Sequence, residues 1–237
     1  MKPSEMTIAQ RLVTVREQIK AAEQQYGRKP GSVQLLAVSK TRPIEDLLEA
    51  QHAGQTAFGE NYLQDALPKI ATLTDPKPEW HFIGPIQSNK TREIAEHFDW
   101  VHSIDRLKIA HRLNEQRPEN MPPLSVCLQV NIDNEPSKSG VLPDEVLSLA
   151  TEIQCLPKLK LRGLMAIPFA TTDFERQRLA FRRLRELYEQ LQQQDISLDT
   201  LSMGMTNDLE AAIAEGSTMV RIGTAIFGER LARAGTE

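Results

Sequence analysis

Residues Val33–Pro43 read VQLLAVSKTRP. Positions 33–39 form a nearly unbroken apolar run between Gly31 and Pro43, the pattern of a strand covered on both faces. Lys40 stands where that strand emerges. A lysine there is either a cation reaching solvent along its stem or an amine held in a partly dry pocket. Desolvation disfavours the charged form, and a neutral amine attacks carbonyls. One residue leaves both readings open, so the rest of the chain has to choose.

The same pattern recurs on either side. Ahead of it, Ile8, Leu12, Val15, Ile19 and Ala22 mark a helix over 7–26, stopped by Gly27. Behind it, a helix over 43–53 is closed by Gly54, and a short strand at 56–59 leads into a helix through Leu63, Leu67 and Ile70. A third strand, 79–83, ends at Gly84-Pro85, and Ser88 is read as the cap of the next helix. A fourth strand, 100–104, precedes a helix that Asp105 is read to cap. Strand five is predicted at 124–132, then a polar loop at 133–140 and a helix at 143–153. Strand six covers 159–167, and the longest helix 174–193. Strand seven covers 196–203, a helix 208–215, strand eight 219–222, and a short helix starts at Thr224. Eight strands each followed by a helix, with one helix in front, predict parallel strands with right-handed crossovers. The predicted fold is α/β, a single-domain (β/α)8 TIM-like barrel over 1–237. The runner-up is a doubly wound open sheet; no GxGxxG follows any strand, which counts against it.

The chain has 237 residues, 40% hydrophobic and 25% charged, with net charge -4. That balance suits a globular protein and lacks the basic stripe of a nucleic-acid binder. No run of about 18 apolar residues suggests a membrane span, and the start, MKPSEMTIAQRL, is too polar for a signal peptide. Cys127 and Cys155 form no CxxC spacing and read as buried thiols of a reducing, cytoplasmic compartment. His52, His97, His102 and His111 show no metal-binding spacing and read as surface or helix-face residues.

In a barrel of this kind function gathers at the C-terminal strand ends. Those ends carry Lys40, Asn61, Gly84, Asp105, Asn131, Met165, Ser202-Met203-Gly204 and Arg221-Ile222-Gly223-Thr224, with His81 one step inside the third. The last two ends are the informative ones. Small residues let backbone N–H groups approach an anion, and the loops after strands seven and eight are the usual phosphate cradle of the architecture. Tight turns alone are the competing explanation of those glycines. Strands seven and eight neighbour strand one when a barrel closes, and Arg221 shares a strand face with Gly223. An amine, a guanidinium and a phosphate cradle around one cavity suit a phosphorylated aldehyde held as an imine. Pyridoxal phosphate fits, with Arg221 facing its ring nitrogen.

The segments LLAVSKTRP, FGENYLQ, EWHFIGPIQSNK, NIDNEPSKSG, LRGLMAIP and LSMGMTNDLEAAIAEGSTMVRIGTAIFG resemble the YggS/PROSC family of pyridoxal phosphate homeostasis proteins over nearly the whole chain. The resemblance implies a fold-type III barrel like the N-terminal domain of alanine racemase. It implies a Schiff base on Lys40, Arg221 at the pyridine nitrogen, Ser202, Gly223 and Thr224 on the phosphate, and Asn61 along the cofactor. It implies a carrier or regulator of the cofactor, affecting amino-acid and keto-acid balance, with no robust enzymatic activity. Alanine racemase needs a second, β-rich domain that supplies a catalytic tyrosine, and here the chain ends nine residues after Gly228.

These positions carry further expectations. A free lysine is neutral roughly once in two thousand at pH 7, so Lys40 needs burial or a nearby cation, either Arg221 or Lys138. Lys138 is either a solvated loop lysine or a relay amine for release of the cofactor. Gly204, His81 and Met165 are further candidates to line the pocket, with core packing the plainer role for Met165. Partners are expected to be the cofactor and, transiently, apo-enzymes that use it, the protein itself being a monomer. The alternatives are a weak pyridoxal-phosphate-dependent amino-acid racemase and a Schiff-base aldolase acting on a sugar phosphate.

Overall fold

A computed structural model describes residues 6–229; residues 1–5 and 230–237, on which the readings of the two chain ends rest, lie outside the described residues. Helix α1, Ile8–Gln25, buries the predicted stripe from Ile8 to Ala22. Its start is a capping box: the Thr7 hydroxyl accepts from Gln10 N at 3.2 Å, and Gln10 Oε1 accepts from Thr7 N at 2.9 Å. Near its end, buried Glu23 accepts the N–H groups of Gly31 and Val33 at 3.0 and 2.9 Å. That carboxylate satisfies a turn that would otherwise bury bare donors, and so aims the next strand.

Strand β1, Gln34–Val38, leads to α2, Ile44–His52; β2, Ala57–Glu60, to α3, Leu63–Thr72; and β3, Glu79–Phe82, through a 3-10 turn at Ser88–Lys90 to α4, Thr91–His97. Then β4, Trp100–Ile104, precedes α5, Leu107–Gln116; β5, Leu124–Gln129, precedes α6, Val146–Gln154; and β6, Leu159–Met165, precedes α7, Phe174–Gln193. Finally β7, Thr200–Ser202, is followed by α8, Leu209–Ala214, and β8, Met219–Ile222, by α9, Thr224–Phe227. All eight strands are parallel and close into one barrel in chain order, β8 pairing with β1 in the register Leu36 to Arg221.

Two apolar layers hold the barrel. The larger lies between strands and helices, where Trp80, Phe58, Phe98 and Phe181 are fully buried. The smaller fills the barrel axis with Leu36, Ala57, Trp100, Cys127, Met165 and Met219. Met165 is one of these core residues. Gly163 is required where β6 meets β7, because a Cβ there would stand 1.6 Å from the Thr200 carbonyl oxygen. Gly163→Ala is expected to destabilise the protein by about 3 kcal/mol through overpacking against rigid backbone, measurable by urea unfolding. Outside the barrel, the arginines of α7 do more than face water. Arg178, Arg182 and Arg185 reach the buried carboxylate of Glu215 at 2.8 to 2.9 Å and tie α7 to the end of α8.

Several sequence readings need correction. Ser88 caps no helix with its side chain; it opens a 3-10 turn, and its carbonyl accepts from the Thr91 hydroxyl at 3.0 Å. Asp105 does not cap α5; Arg106 occupies that position and donates to the Asp105 carboxylate at 2.7 Å. Strand β5 stops at Gln129 because Asn131 folds the next loop, bonding Glu135 O, Glu135 N and Lys138 O. Strand β7 starts at Thr200, since the Leu198 carbonyl accepts from the Tyr188 hydroxyl and Gln192 of α7 rather than joining the sheet. Cys155 is exposed, at the end of α6, whereas Cys127 is buried and its thiol is pushed up to about 12 by desolvation. His102 is no surface residue: it lies inside β4 with no exposure.

Candidate functional site

The C-terminal mouth of the barrel opens into a cavity of about 1190 Å3, whose lining includes Lys40, Asn61, Arg221, Gly223 and Thr224. Strand periodicity explains the convergence. Leu36, Val38 and Lys40 share one face of the first strand and its extension, Arg221 and Gly223 one face of the last. Lys40 is half-buried, and the residue before it is anchored firmly. The Ser39 hydroxyl donates to Glu60 Oε1 at 2.6 Å, its N–H to Gly59 O at 3.0 Å, and its carbonyl accepts from Lys69 Nζ at 2.8 Å. Lys69 reaches up from α3 to pair with the same Glu60 oxygen at 2.7 Å, and both side chains are buried. Burial pushes the Glu60 carboxyl up while Lys69 draws it down. A buried pair of this kind rewards geometry more than it adds net stability. Here it fixes the peptide from which Lys40 projects.

Arg221 is buried, and desolvation lowers its guanidinium to about 10, so it stays charged at neutral pH. Its two terminal nitrogens are committed on the barrel side: Nη1 donates to Ser202 Oγ at 2.7 Å and Nη2 to Ala166 O at 3.0 Å. The remaining N–H groups are available to the cavity it lines. Asn61 presents a buried Oδ1 with no hydrogen-bond partner among the described residues. An unpaired buried acceptor is costly, and a ligand donor at this mouth would satisfy it. Gly223 keeps the wall open: a Cβ there would meet Val38 O at 3.2 Å. Gly204 adopts a φ of +101°, which favours glycine, and shapes the turn after β7.

The structure does not gather every candidate. The Ser202 hydroxyl is turned into the barrel, where it meets Arg221 and His102 instead of lining the cavity. His81 is fully buried and stacked on Trp100 at 5.3 Å between centroids. Lys138 is held at the β5–α6 loop by Asp133 at 2.8 Å and lies 5.3 Å from the Phe169 ring centre; it is not among the cavity-lining residues. Three residues of the polar clusters beneath the cavity were not marked by the sequence: His102, Glu79 and Lys69. His102 shares the inward face of β4 with Trp100, so strand alternation alone carried the signal.

Burial holds the His102 imidazole well below the usual histidine range, with His81 and Arg221 nearby adding to the effect. The folded protein therefore keeps His102 neutral, while the unfolded chain takes up a proton below its value of 6.5. Stability contributed this way is complete above pH 6.5 and falls as pH drops, by about 1.4 kcal/mol per pH unit. Urea unfolding of wild type should fall off more steeply between pH 6 and 5 than that of His102→Gln, by about one proton.

By fold and cavity this is a closed parallel barrel that presents an amine and a guanidinium to one ligand space. The family model described as "Alanine racemase, N-terminal domain" matches residues 11–231. A pyridoxal phosphate homeostasis protein of Pseudomonas aeruginosa is 60% identical over 224 residues, covering 94% of this chain and 96% of that one. Among solved structures, PipY of Synechococcus elongatus with PLP bound superposes at TM-score 0.83 with 40% identity, over 94% of this chain and 100% of that chain. Alanine racemase from Corynebacterium glutamicum shares the fold, at TM-score 0.66 and 16% identity over 94% of this chain and 62% of that one. The chain belongs to the alanine racemase N-terminal domain family and, within it, to the pyridoxal phosphate homeostasis proteins.

Proposed function

We propose that this protein binds pyridoxal 5'-phosphate through Lys40 and serves cofactor supply as a carrier or regulator. The observation that carries the reading is the shared cavity: Lys40, Arg221, the unpaired Asn61 acceptor and the Gly223-Thr224 turn all line it. Those groups fit the molecule, which offers an aldehyde to an amine, a ring nitrogen to a donor and a phosphate to small-residue backbone. Bound, the cofactor supplies a carbonyl that condenses with amines and a ring that draws electrons from the adduct.

The chain's own residues tune that chemistry. The Ser39–Glu60–Lys69 cluster orients the Lys40 amine. Arg221 holds its protons and donates to the ring, which keeps the ring nitrogen unprotonated and the electron sink weak. Gly223 and Thr224 hold the phosphate. Ser202 acts on it at most through Arg221, given where its hydroxyl points. Lys138, on the loop after β5, we place on the exit route; equal rates of cofactor transfer to an apo-enzyme by wild type and Lys138→Ala would remove it from that role. We place the protein in the cytoplasm as a single copy that meets recipient enzymes transiently. No described helix is long and apolar enough to cross a membrane, and Cys127 and Cys155 are free thiols.

Racemisation is the competing activity. It needs a second acid/base opposite the amine, and among the described residues the cavity offers only the carboxylates of Asp208 and Glu210 beside Lys40. Incubation of the loaded protein with each L-amino acid, followed by chiral analysis, is expected to show no D-product. The visible absorption of the purified protein, lost on borohydride reduction, tests binding itself; colourless protein that takes up no cofactor would defeat the reading.

A further inference from the structure

The barrel axis is not wholly apolar. Strand alternation turns Glu79 and His81 of β3, His102 of β4, Ser202 of β7 and Arg221 of β8 toward one another. They form an unbroken row. Glu79 Oε1 lies 2.8 Å from His81 Nε2, His81 Nδ1 lies 2.8 Å from His102 Nε2, His102 Nδ1 lies 2.7 Å from Ser202 Oγ, and Arg221 Nη1 lies 2.7 Å from the same hydroxyl. The row starts at the N-terminal mouth, where Glu79 borders a second cavity of about 540 Å3, and ends at Arg221 in the cofactor cavity.

With Glu79 ionised and both imidazoles neutral, as their burial favours, one proton arrangement satisfies every contact of the row. Arginine has donors alone, so the Ser202 oxygen accepts from Arg221 and its proton goes to His102 Nδ1. His102 then donates from Nε2 to His81 Nδ1, and His81 donates from Nε2 to the Glu79 carboxylate. Both imidazoles are neutral and carry their proton on Nε2, consistent with burial lowering both. Every bond points from the guanidinium to the carboxylate. Aligned donors polarise one another in a low-dielectric interior. Among the described residues no carboxylate stands within ion-pair distance of Arg221; Asp208, which lines the same cavity, acts on it through space, and the hydrogen-bonded row reaches the Glu79 carboxylate at the far mouth.

We propose that Glu79, His81 and His102 form a positioning relay that sets the orientation of the Arg221 guanidinium toward the cofactor ring from the opposite mouth of the barrel. This rests on the reading that Arg221 faces the bound ring. Around Glu79 stand Gln34 of β1, whose Nε2 donates to it at 3.4 Å, the Trp100 side chain of β4, which also hydrogen-bonds it, and Lys77, Asp99, Lys160 and Arg162, which border the same lower cavity.

The test uses the full chain with and without pyridoxal phosphate. Nitrogen-15 spectra of the cofactor-free protein should show both imidazoles neutral and protonated at Nε2. His102→Leu severs the row: the visible band of the loaded protein shifts, and affinity for pyridoxal phosphate falls about tenfold, the worth of one charge-assisted bond. His102→Gln keeps a donor and an acceptor and restores much of both. Glu79→Gln still accepts from His81 but without charge, so it moves the His81 nitrogen signals and shifts the band less, in the same direction. This variant serves if His102→Leu does not fold. Imidazoles protonated at Nδ1 would overturn the proposal by breaking the row. Imidazoles as described, with an unmoved band in every variant, would overturn it by detaching Arg221 from the ring while leaving Lys40 as anchor.

Discussion

Replacing Lys40 with alanine is expected to abolish the visible absorption of the loaded protein and to weaken cofactor binding by at least ~100-fold, about 2.7 kcal/mol. The amine is the nucleophile in the cavity's lining; the other cation there, Arg221, cannot give up a proton near neutral pH. Lys40→Arg separates chemistry from charge. It keeps a cation of similar length at the mouth but no nucleophilic amine. Both variants should lose the band. Residual binding should be greater in Lys40→Arg if attraction for the phosphate contributes. Ultraviolet-visible titration with pyridoxal phosphate, with unfolding curves to confirm that each variant is folded, provides the measurement. An unchanged spectrum in Lys40→Ala would remove it as the anchor.

The second large effect is expected beneath the site. Lys69→Met should destabilise the protein by about 3–5 kcal/mol, because it leaves the Glu60 carboxyl buried without its partner. For a chain of this size the melting temperature should fall on the order of 10 °C. The sign of the pH dependence comes from the same burial. Without Lys69, Glu60 binds its proton more tightly folded than unfolded, so the variant is least impaired near pH 5 and loses stability as pH rises toward 8. Adding Glu60→Gln removes the buried charge while keeping an acceptor for Ser39, and should recover much of the loss. Lys69→Met should also loosen the peptide before Lys40 and lower cofactor retention more than stability alone explains. A neutral substitution would show that the cluster neither holds the fold nor aims the amine.

Much of the architecture was legible because its signals are local. Short apolar runs, most of them bounded by glycine or proline, located all eight strands, and the helical stripes located the helices between them. Lys40 and Arg221 were readable as cavity residues because the chain order of a closed barrel returns β8 beside β1. What was not legible depends on three-dimensional satisfaction of polar groups. The Ser202 hydroxyl sits at a strand end like a phosphate ligand, yet the nearest buried donor and acceptor are Arg221 and His102. His102 looked like a surface histidine because no spacing rule marks a histidine paired across strands with His81. Lys138 lies in a polar loop whose path is set by Asn131 and Asp133, contacts that composition does not reveal. The caps at Ser88 and Asp105 failed for a related reason: neighbouring arrangements, a 3-10 turn and Arg106, took those positions.

Lys40 as the anchor is tested most directly by borohydride reduction of the pyridoxal-phosphate-loaded protein followed by peptide mapping. One fluorescent adduct is expected, on the peptide carrying Lys40. An adduct confined to Lys138, Lys69 or any other amine would contradict it.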